Sequence, residues 1–278
     1  MTIEEVIDLA LIEDLGDGDH TSLATIPNEA TGKAVLTAKE KGILAGVGVA
    51  AQVFKKVDPN VRISIQKEDG SPIQPGDIVF AVEGKSQSIL SAERTALNFI
   101  QRMSGIATFT HQVVQKLEGL ETKVLDTRKT TACNRAIEKL AVKIGGGFNH
   151  RFGLYDMIMI KDNHVDFAGG IQQAIGATKK YLSEKGKNLK IEIEVRNFTE
   201  LDEVLRIGGV DRIMLDNFIP NDLMLAVQLI NKQYETEASG GISIDNIREY
   251  AESGVDFISV GALTHQIKSL DLSLTAVH

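Results

Sequence analysis

The sequence predicts an α/β protein in two parts, and three observations predict it. From about residue 122 onward, short apolar segments alternate with helical stretches, and the last four strands recur about every 20 to 25 residues. The first hundred residues lack that rhythm and read instead as an amphipathic helix followed by the alternating strands of a mixed or antiparallel sheet. At 278 residues, the chain also exceeds one typical domain of roughly 100 to 200 residues. Two domains, or one barrel-sized unit with an appendage, follow.

Taken in order, Thr2 with Glu5 three positions later is a capping box, and Ile3, Val6, Ile7, Ala10 and Leu11 continue at helical spacing. This helix should stop near Gly16. Residues 61–65 and 78–82 alternate as strands across a turn rich in Asp, Gly, Ser and Pro at 69–76. A helix over 91–103 carries Leu97, Ile100 and Met103 on one face and Arg94, Asn98 and Arg102 on the other. Strands are then predicted near Val124 and at 157–160, 191–195, 213–215, 237–238 and 257–260, with helices at 201–207, 223–230 and 244–252. The spacing suits parallel strands joined by right-handed crossovers, in a barrel or an open doubly wound sheet, and the small repeats favour the barrel.

Nearly every strand of this second part ends in a polar or glycine-rich group: Asp126-Thr127-Arg128-Lys129, Lys161-Asp162-Asn163-His164, Glu194-Val195-Arg196, Asp216-Asn217, Ser239-Gly240-Gly241 and Gly261. In a parallel barrel the carboxyl ends of the strands share one face, so these groups converge there. Polar strand-to-helix loops explain any one of them, but the set less well. Ile191-Glu192-Ile193-Glu194-Val195 is the sharpest case. A strand covered on both faces should be apolar throughout, and an unpaired buried carboxylate costs on the order of several kcal/mol. Glu194, nearer the mouth, therefore needs a cation or a function, unless the strand is a solvated edge. Ser239-Gly240-Gly241 leads from a strand towards a helix expected near Asp245, and with Gly261 it suits a phosphate cradle.

With 43% hydrophobic and 24% charged residues the chain buries a full core, and 5% aromatics with no Trp argues against a stacking platform for single strands. The net charge of −8 argues against wholesale binding to nucleic acid or anionic lipid. The charge is uneven, however. Residues 128–164 hold seven Lys or Arg against three acids, a net of +4 that leaves −12 for the remainder. Arg128, Lys129, His150, Arg151 and Lys161 suit a clamp for a small polyanion, with His150-Arg151 following a flexible run of glycines at 145–147. Lys139 and Lys143 fit a solvated helix face. The acidic start and the lack of a long apolar run predict a cytoplasmic protein with no membrane span. A single cysteine, Cys133, excludes an intrachain disulfide and a thiolate metal cage; it reads first as an inert small core residue.

Asp126-Thr-Arg-Lys-Thr-Thr131, Gly145-Gly-Gly-Phe-Asn-His-Arg151 and Ile160-Lys-Asp-Asn-His164 together resemble the nicotinate-nucleotide pyrophosphorylase, or quinolinate phosphoribosyltransferase, family. Glu93-Arg94-Thr-Ala-Leu-Asn98, Ser104-Gly-Ile-Ala-Thr108, Glu192-Ile-Glu194, Leu215-Asp-Asn217 and Glu237-Ala-Ser-Gly-Gly241 extend the resemblance over essentially the whole chain. It implies an α/β sandwich-like N-terminal domain (1–107) and an incomplete TIM-like α/β barrel (108–265), with residues 266–278 packing on the former. It implies phosphoribosyl transfer from phosphoribosyl pyrophosphate (PRPP) to quinolinate with decarboxylation, giving nicotinate mononucleotide, pyrophosphate and carbon dioxide in NAD biosynthesis. By matching position, Arg128, His150, Arg151 and Lys161 hold the quinolinate carboxylates, and Arg94 reaches them from the neighbouring subunit of a homodimer, itself a possible building block of a hexamer. Lys129, Glu194, Asp216, Ser239, Gly240, Gly241 and Gly261 attend PRPP, with Glu194, Asp216 and Lys129 as the catalytic group and Mg2+ arriving on the pyrophosphate. One departure stands out: where the family usually reads Thr-Thr-Pro-Gly, this chain has Thr130-Thr131-Ala132-Cys133, which should alter the loop and make the turn more helical. Three other readings compete: a paralogue for a different ring acid, a barrel lyase using Lys161 as a Schiff-base amine, and a non-catalytic anion-binding module.

Overall fold

The computed structural model describes residues 1–277. From the N-terminus the chain runs α1 (Ile3–Leu15), α2 (His20–Thr25), β1 (Thr31–Ala38), β2 (Gly42–Ile43), α3 (Val47–Val57), β3 (Arg62–Ile65), β4 (Pro72–Ile73), β5 (Ile78–Lys85) and α4 (Ser86–Gln115). It continues through β6 (Lys123–Leu125), α5 (Arg135–Ile144), β7 (Ile158–Ile160), α6 (Asp162–Ala168), α7 (Ile171–Lys185), β8 (Ile191–Val195), α8 (Phe198–Ile207), β9 (Arg212–Asp216), α9 (Pro220–Ile230), β10 (Glu235–Ser239), α10 (Ile247–Ala251), β11 (Phe257–Ser259), α11 (Ala262–His265) and β12 (Leu272–Val277). The chain divides into two compact units. The first comprises Met1–His111, Lys129–Gly146 and Leu263–His278, the second Gln112–Arg128 and Gly147–Ala262.

In the first unit the capping box forms as read: Thr2 and Glu5 exchange side-chain to backbone bonds, and α1 ends at Gly16. The sheet is antiparallel, in the order β12-β1-β5-β3, so the last strand of the chain pairs with the first. Leu36 and Leu274 from the sheet, Phe54 from α3 and Leu97 and Ile100 from α4 line one apolar interior, and Phe54 meets Phe80 edge to face at 6.0 Å. α4 begins earlier and ends later than the 91–103 expected, because its buried stripe continues past Gly105 through Ile106, Ala107, Thr110 and Val113, and packing sustains the helix across the glycine. Its Arg102 pairs with the buried Glu138 of α5 at 2.9 Å and donates to the carbonyls of Thr264 and Ile267.

Four sequence readings are corrected in this unit. Lys139 is buried, whereas Lys143 is exposed, because α5 is covered nearly all round and takes Glu138 and Lys139 in with Ile137, Ala141 and Val142. Cys133 is exposed rather than in the core, and its φ of +64° keeps the left-handed conformation that a glycine would supply. The turn is not more helical; Asn134 N–H closes it on the Thr131 carbonyl at 3.2 Å before α5 begins. Nor is Gly145 flexible: it is buried, and a Cβ there would lie 2.5 Å from the carbonyl oxygen of Ala107.

The second unit is a six-stranded parallel sheet in the order β6-β11-β10-β9-β8-β7, flanked by α6 to α10. Phe148 adds a parallel bridge to Leu125 beside β6. The sheet is the incomplete barrel-type arrangement expected, each strand followed by a polar end. β8 lies between β9 and β7 and all five of its residues are buried, which removes the solvated-edge explanation for Glu192 and Glu194. α10 starts at Ile247, not near Asp245. Asn246 Oδ1 takes the Ser243 N–H at 2.7 Å and Ser243 Oγ takes the Asp245 N–H at 3.3 Å, side-chain bonds that hold a turn where helix was expected.

Candidate active site

Most of the singled-out residues lie in the second unit, at the carboxyl ends of its parallel strands: Arg128 after β6, Lys161 after β7, Glu194 in β8, Asp216 closing β9, Ser239 closing β10 before Gly240 and Gly241, and Gly261 after β11. Lys129 and Arg94 belong to the first unit, where both are exposed.

The end of β6 is built around a fully buried Asp126, whose Oδ1 accepts the His150 N–H at 2.8 Å while its own N–H is donated to the Phe148 carbonyl. This brings residues 147–151 alongside β6 although they are some twenty residues further along the chain. Arg151, next to His150, is half-buried; burial and then the nearby charge of Arg128 make its guanidinium harder to protonate than usual. Two arginines are thus held close enough to repel.

At the next strand ends, Lys161 Nζ donates to Glu194 Oε2 at 2.7 Å, which supplies the cation the buried carboxylate needed. His164 of the same motif caps α6, its Nδ1 accepting the Lys161 N–H at 2.9 Å. Asp216 is half-buried, and its carboxyl is pushed up, first by burial and then by the charge of Glu194, with Lys161 opposing. Its Oδ2 accepts from Asn217 Nδ2 at 2.6 Å. Asn217, left-handed at φ +59°, sends its N–H to the Ser239 carbonyl and its side chain against Gly240.

Inside the sheet sits a group that sequence reasoning only half found. The His150 side chain is 5% exposed; its Nε2 lies 3.0 Å from Glu192 Oε2 and 3.4 Å from Glu237 Oε2. Arg212, at the start of β9, reaches the same Glu237 oxygen at 2.9 Å, contacts Glu235 at 3.0 Å and stacks over the Phe257 ring at 4.0 Å. Burial opposes charge on His150, but the two carboxylates outweigh it and lift its pKa to about 9. Burial and the charge of Glu237 raise Glu192 to about 7, whereas His150 and Arg212 overcome burial at Glu237 and hold it below the usual carboxylate range. Glu237 and Arg212 were not among the predicted site residues. The signal was there: Glu235-Thr236-Glu237 places acids in a covered strand, the same anomaly as Glu192-Ile193-Glu194.

Comparison with known proteins covers both units. Residues 19–104 match the quinolinate phosphoribosyl transferase N-terminal domain and residues 106–275 the C-terminal domain. The chain is 44% identical over 98% of its length to the chloroplastic nicotinate-nucleotide pyrophosphorylase (carboxylating) of Arabidopsis thaliana, covering 82% of that protein. It is 43% identical over 98% of its length to quinolinate phosphoribosyltransferase (decarboxylating) 1b of Nicotiana tabacum, covering 81% of it. The crystal structure of NadC from Streptococcus pyogenes superposes with a TM-score of 0.93 at 39% identity, over 99% of this chain and 97% of that one.

Proposed function

The chain belongs to the quinolinate phosphoribosyltransferase family, and from that premise we propose how its own side chains divide the reaction. The reaction is transfer of phosphoribosyl from PRPP to quinolinate with decarboxylation, giving nicotinate mononucleotide, pyrophosphate and carbon dioxide, a step of NAD biosynthesis.

The observation that carries the assignment is that like charges are held together twice at the strand ends. Arg128 and Arg151 lie close enough for their charges to interact, which favours an anion beside them, and charge-assisted guanidinium bonds are worth about 1.5 to 3 kcal/mol each. These two, with Lys161, hold the carboxylates of quinolinate; His150, enclosed beside them, lends charge from within, and Arg94 completes the clamp from the neighbouring subunit. Glu194 and Asp216 lie close enough for their charges to interact, with Lys161 offsetting part of the repulsion, and a second positive centre beside them would offset the rest. The ribose acquires oxocarbenium character as pyrophosphate leaves, and these carboxylates stabilise it or hold the ribose hydroxyls. Lys129, Ser239, Gly240, Gly241 and Gly261 attend the phosphate groups, the glycine turns offering backbone N–H donors. The quaternised pyridine nitrogen then accepts the electrons released by decarboxylation.

Mg2+ accompanies PRPP in this scheme. Among the described residues one His/Asp/Glu group is close enough to share an ion, His150 with Glu192 and Glu237, and Arg212 is already bonded to its Glu237. In this reading that enclosed group takes no metal, and the ion stays on pyrophosphate and water. The protein works as a homodimer with shared sites, which a hexamer would also preserve. No helix of the described residues is long and apolar enough to cross a membrane, and a cytoplasmic location belongs to the same reading. Pyrophosphate release measured in parallel with quinolinate, nicotinate and nicotinamide tests the substrate: release with quinolinate alone, with equimolar carbon dioxide, is expected, and release only with nicotinate overturns it.

A further inference from the structure

The group formed by His150, Glu192, Glu237 and Arg212 holds two fully buried carboxylates on interior strands that flank β9, with the Arg212 guanidinium of β9 and one imidazole against them. An arrangement kept for stability alone is hard to justify, because buried ion networks are often no better than apolar packing of the same volume. Both carboxylate oxygens of Glu192 and Glu237 Oε1 are buried without a well-formed hydrogen bond, and His150, in ion contact with Glu192 at 3.0 Å, is the neighbour that links the pair to the strand-end site. Each element packed around the ring contributes a group. Glu192 comes from β8 and Glu237 from β10, with Arg212 of β9 and Ser259 of β11 set against Glu237. Asp126, after β6, fixes the His150 backbone, and Arg128 and Arg151 carry the positive charge next to it.

We propose that Glu192 and Glu237, braced by Arg212, are positioning residues of the reaction that act through His150, fixing its ring and keeping it cationic so that the quinolinate site gains an interior positive charge. The proposal rests on the assignment of quinolinate to Arg128 and Arg151. His150 Nδ1 accepts the Arg151 N–H at 2.6 Å. The proton that charges the ring therefore turns Nδ1 from acceptor to donor and releases that amide, so the charge and the Arg151 backbone respond together. Glu192 and Glu237 touch neither substrate in this scheme; their effect is on how firmly a dianion is held.

The test is the pH dependence of the quinolinate KM in wild type, Glu192→Gln and Glu237→Gln, with the PRPP KM as reference. In wild type the quinolinate KM should rise only as pH climbs through about 9, where His150 loses its charge. In both variants that rise should move down towards the ordinary histidine range, raising KM at least about fivefold at pH 8, with near-recovery at pH 6 and a PRPP KM within about twofold throughout. A purely structural defect would not be repaired by acid. Folded variants whose quinolinate KM matches wild type at every pH overturn the proposal. If the variants fail to fold, the imidazole 15N signal of His150 in wild type, assigned with His150→Gln, decides: titration at or below pH 6.5 overturns it. Arg151→Ala separates the two levels. No effect of Arg151→Ala on the quinolinate KM removes the underlying assignment, whereas a large effect there with silent glutamine variants removes the positioning role alone.

Discussion

His150 is a histidine whose proton is part of the fold as well as of the site, and the sign of its contribution to stability can be worked out. Its folded pKa, about 9, lies above its ordinary value of 6.5. The native state therefore binds the proton more tightly than the unfolded chain does. The stability this supplies is fully present below about pH 6.5 and is lost as pH rises through about 9. Glu192 runs in the same direction at lower pH: its carboxyl is raised from 4.5 to about 7, so its share is lost between those values. The unfolding midpoint should therefore fall in wild type between pH 6.5 and 9, and fall less in His150→Gln, which removes the titrating ring. Thermal unfolding across that range checks this, and parallel curves for the two proteins would refute it.

At the scale of elements, the end of β9 and the end of β10 form one joint. Asn217 bridges them by giving its N–H to Ser239 and an amide proton to Asp216, and its side chain rests where a Cβ on residue 240 would stand. Gly240 also has φ +97°, which side-chain-bearing residues rarely adopt. Gly240→Ala should cost on the order of 1 to 3 kcal/mol of stability through backbone strain, and because the displaced amide holds Asp216, it should raise the PRPP KM and lower kcat. A variant with wild-type kinetics would detach this joint from the phosphoribosyl site. The glycine pair was legible in the sequence because a turn before a helix leaves few other choices. The helix start was less so: Ser243 and Asn246 close a turn with their own side chains, and periodicity does not report such bonds. The strands of the parallel sheet were legible because each is apolar and ends in polar residues. β1 and β12 were not, since their partners are far away in sequence and their half-exposed, small side chains give only a weak alternation. Of the buried ionic group, Glu192 was visible as a charge in a covered strand. Arg212 was hidden by its position at a strand start, where a basic residue ordinarily faces solvent.

For the whole molecule, the uneven charge of the sequence matters more than its total of −8, because the basic stretch at 128–164 supplies Arg128, Arg151 and Lys161 to one set of strand ends. One cation of the expected clamp stands apart from that stretch. Arg94 is on α4, exposed, in the first unit, whereas Arg151 is in the second. If Arg94 serves the site of the neighbouring subunit, the two arginines of any one site come from different chains. Arg94→Ala and Arg151→Ala should then each lose most activity alone. Mixed and allowed to exchange subunits, they form heterodimers in which one site combines the intact Arg151 of one chain with the intact Arg94 of the other, while the second site lacks both. Equal mixing makes half of the dimers hybrid, each with one working site of two, so activity should recover to about a quarter of wild type for a closed two-fold assembly. Subunit exchange is confirmed independently with a tagged chain, and single-variant mixtures with themselves set the baseline. Recovery to that level assigns Arg94 to its neighbour's site; exchange without recovery returns it to its own chain.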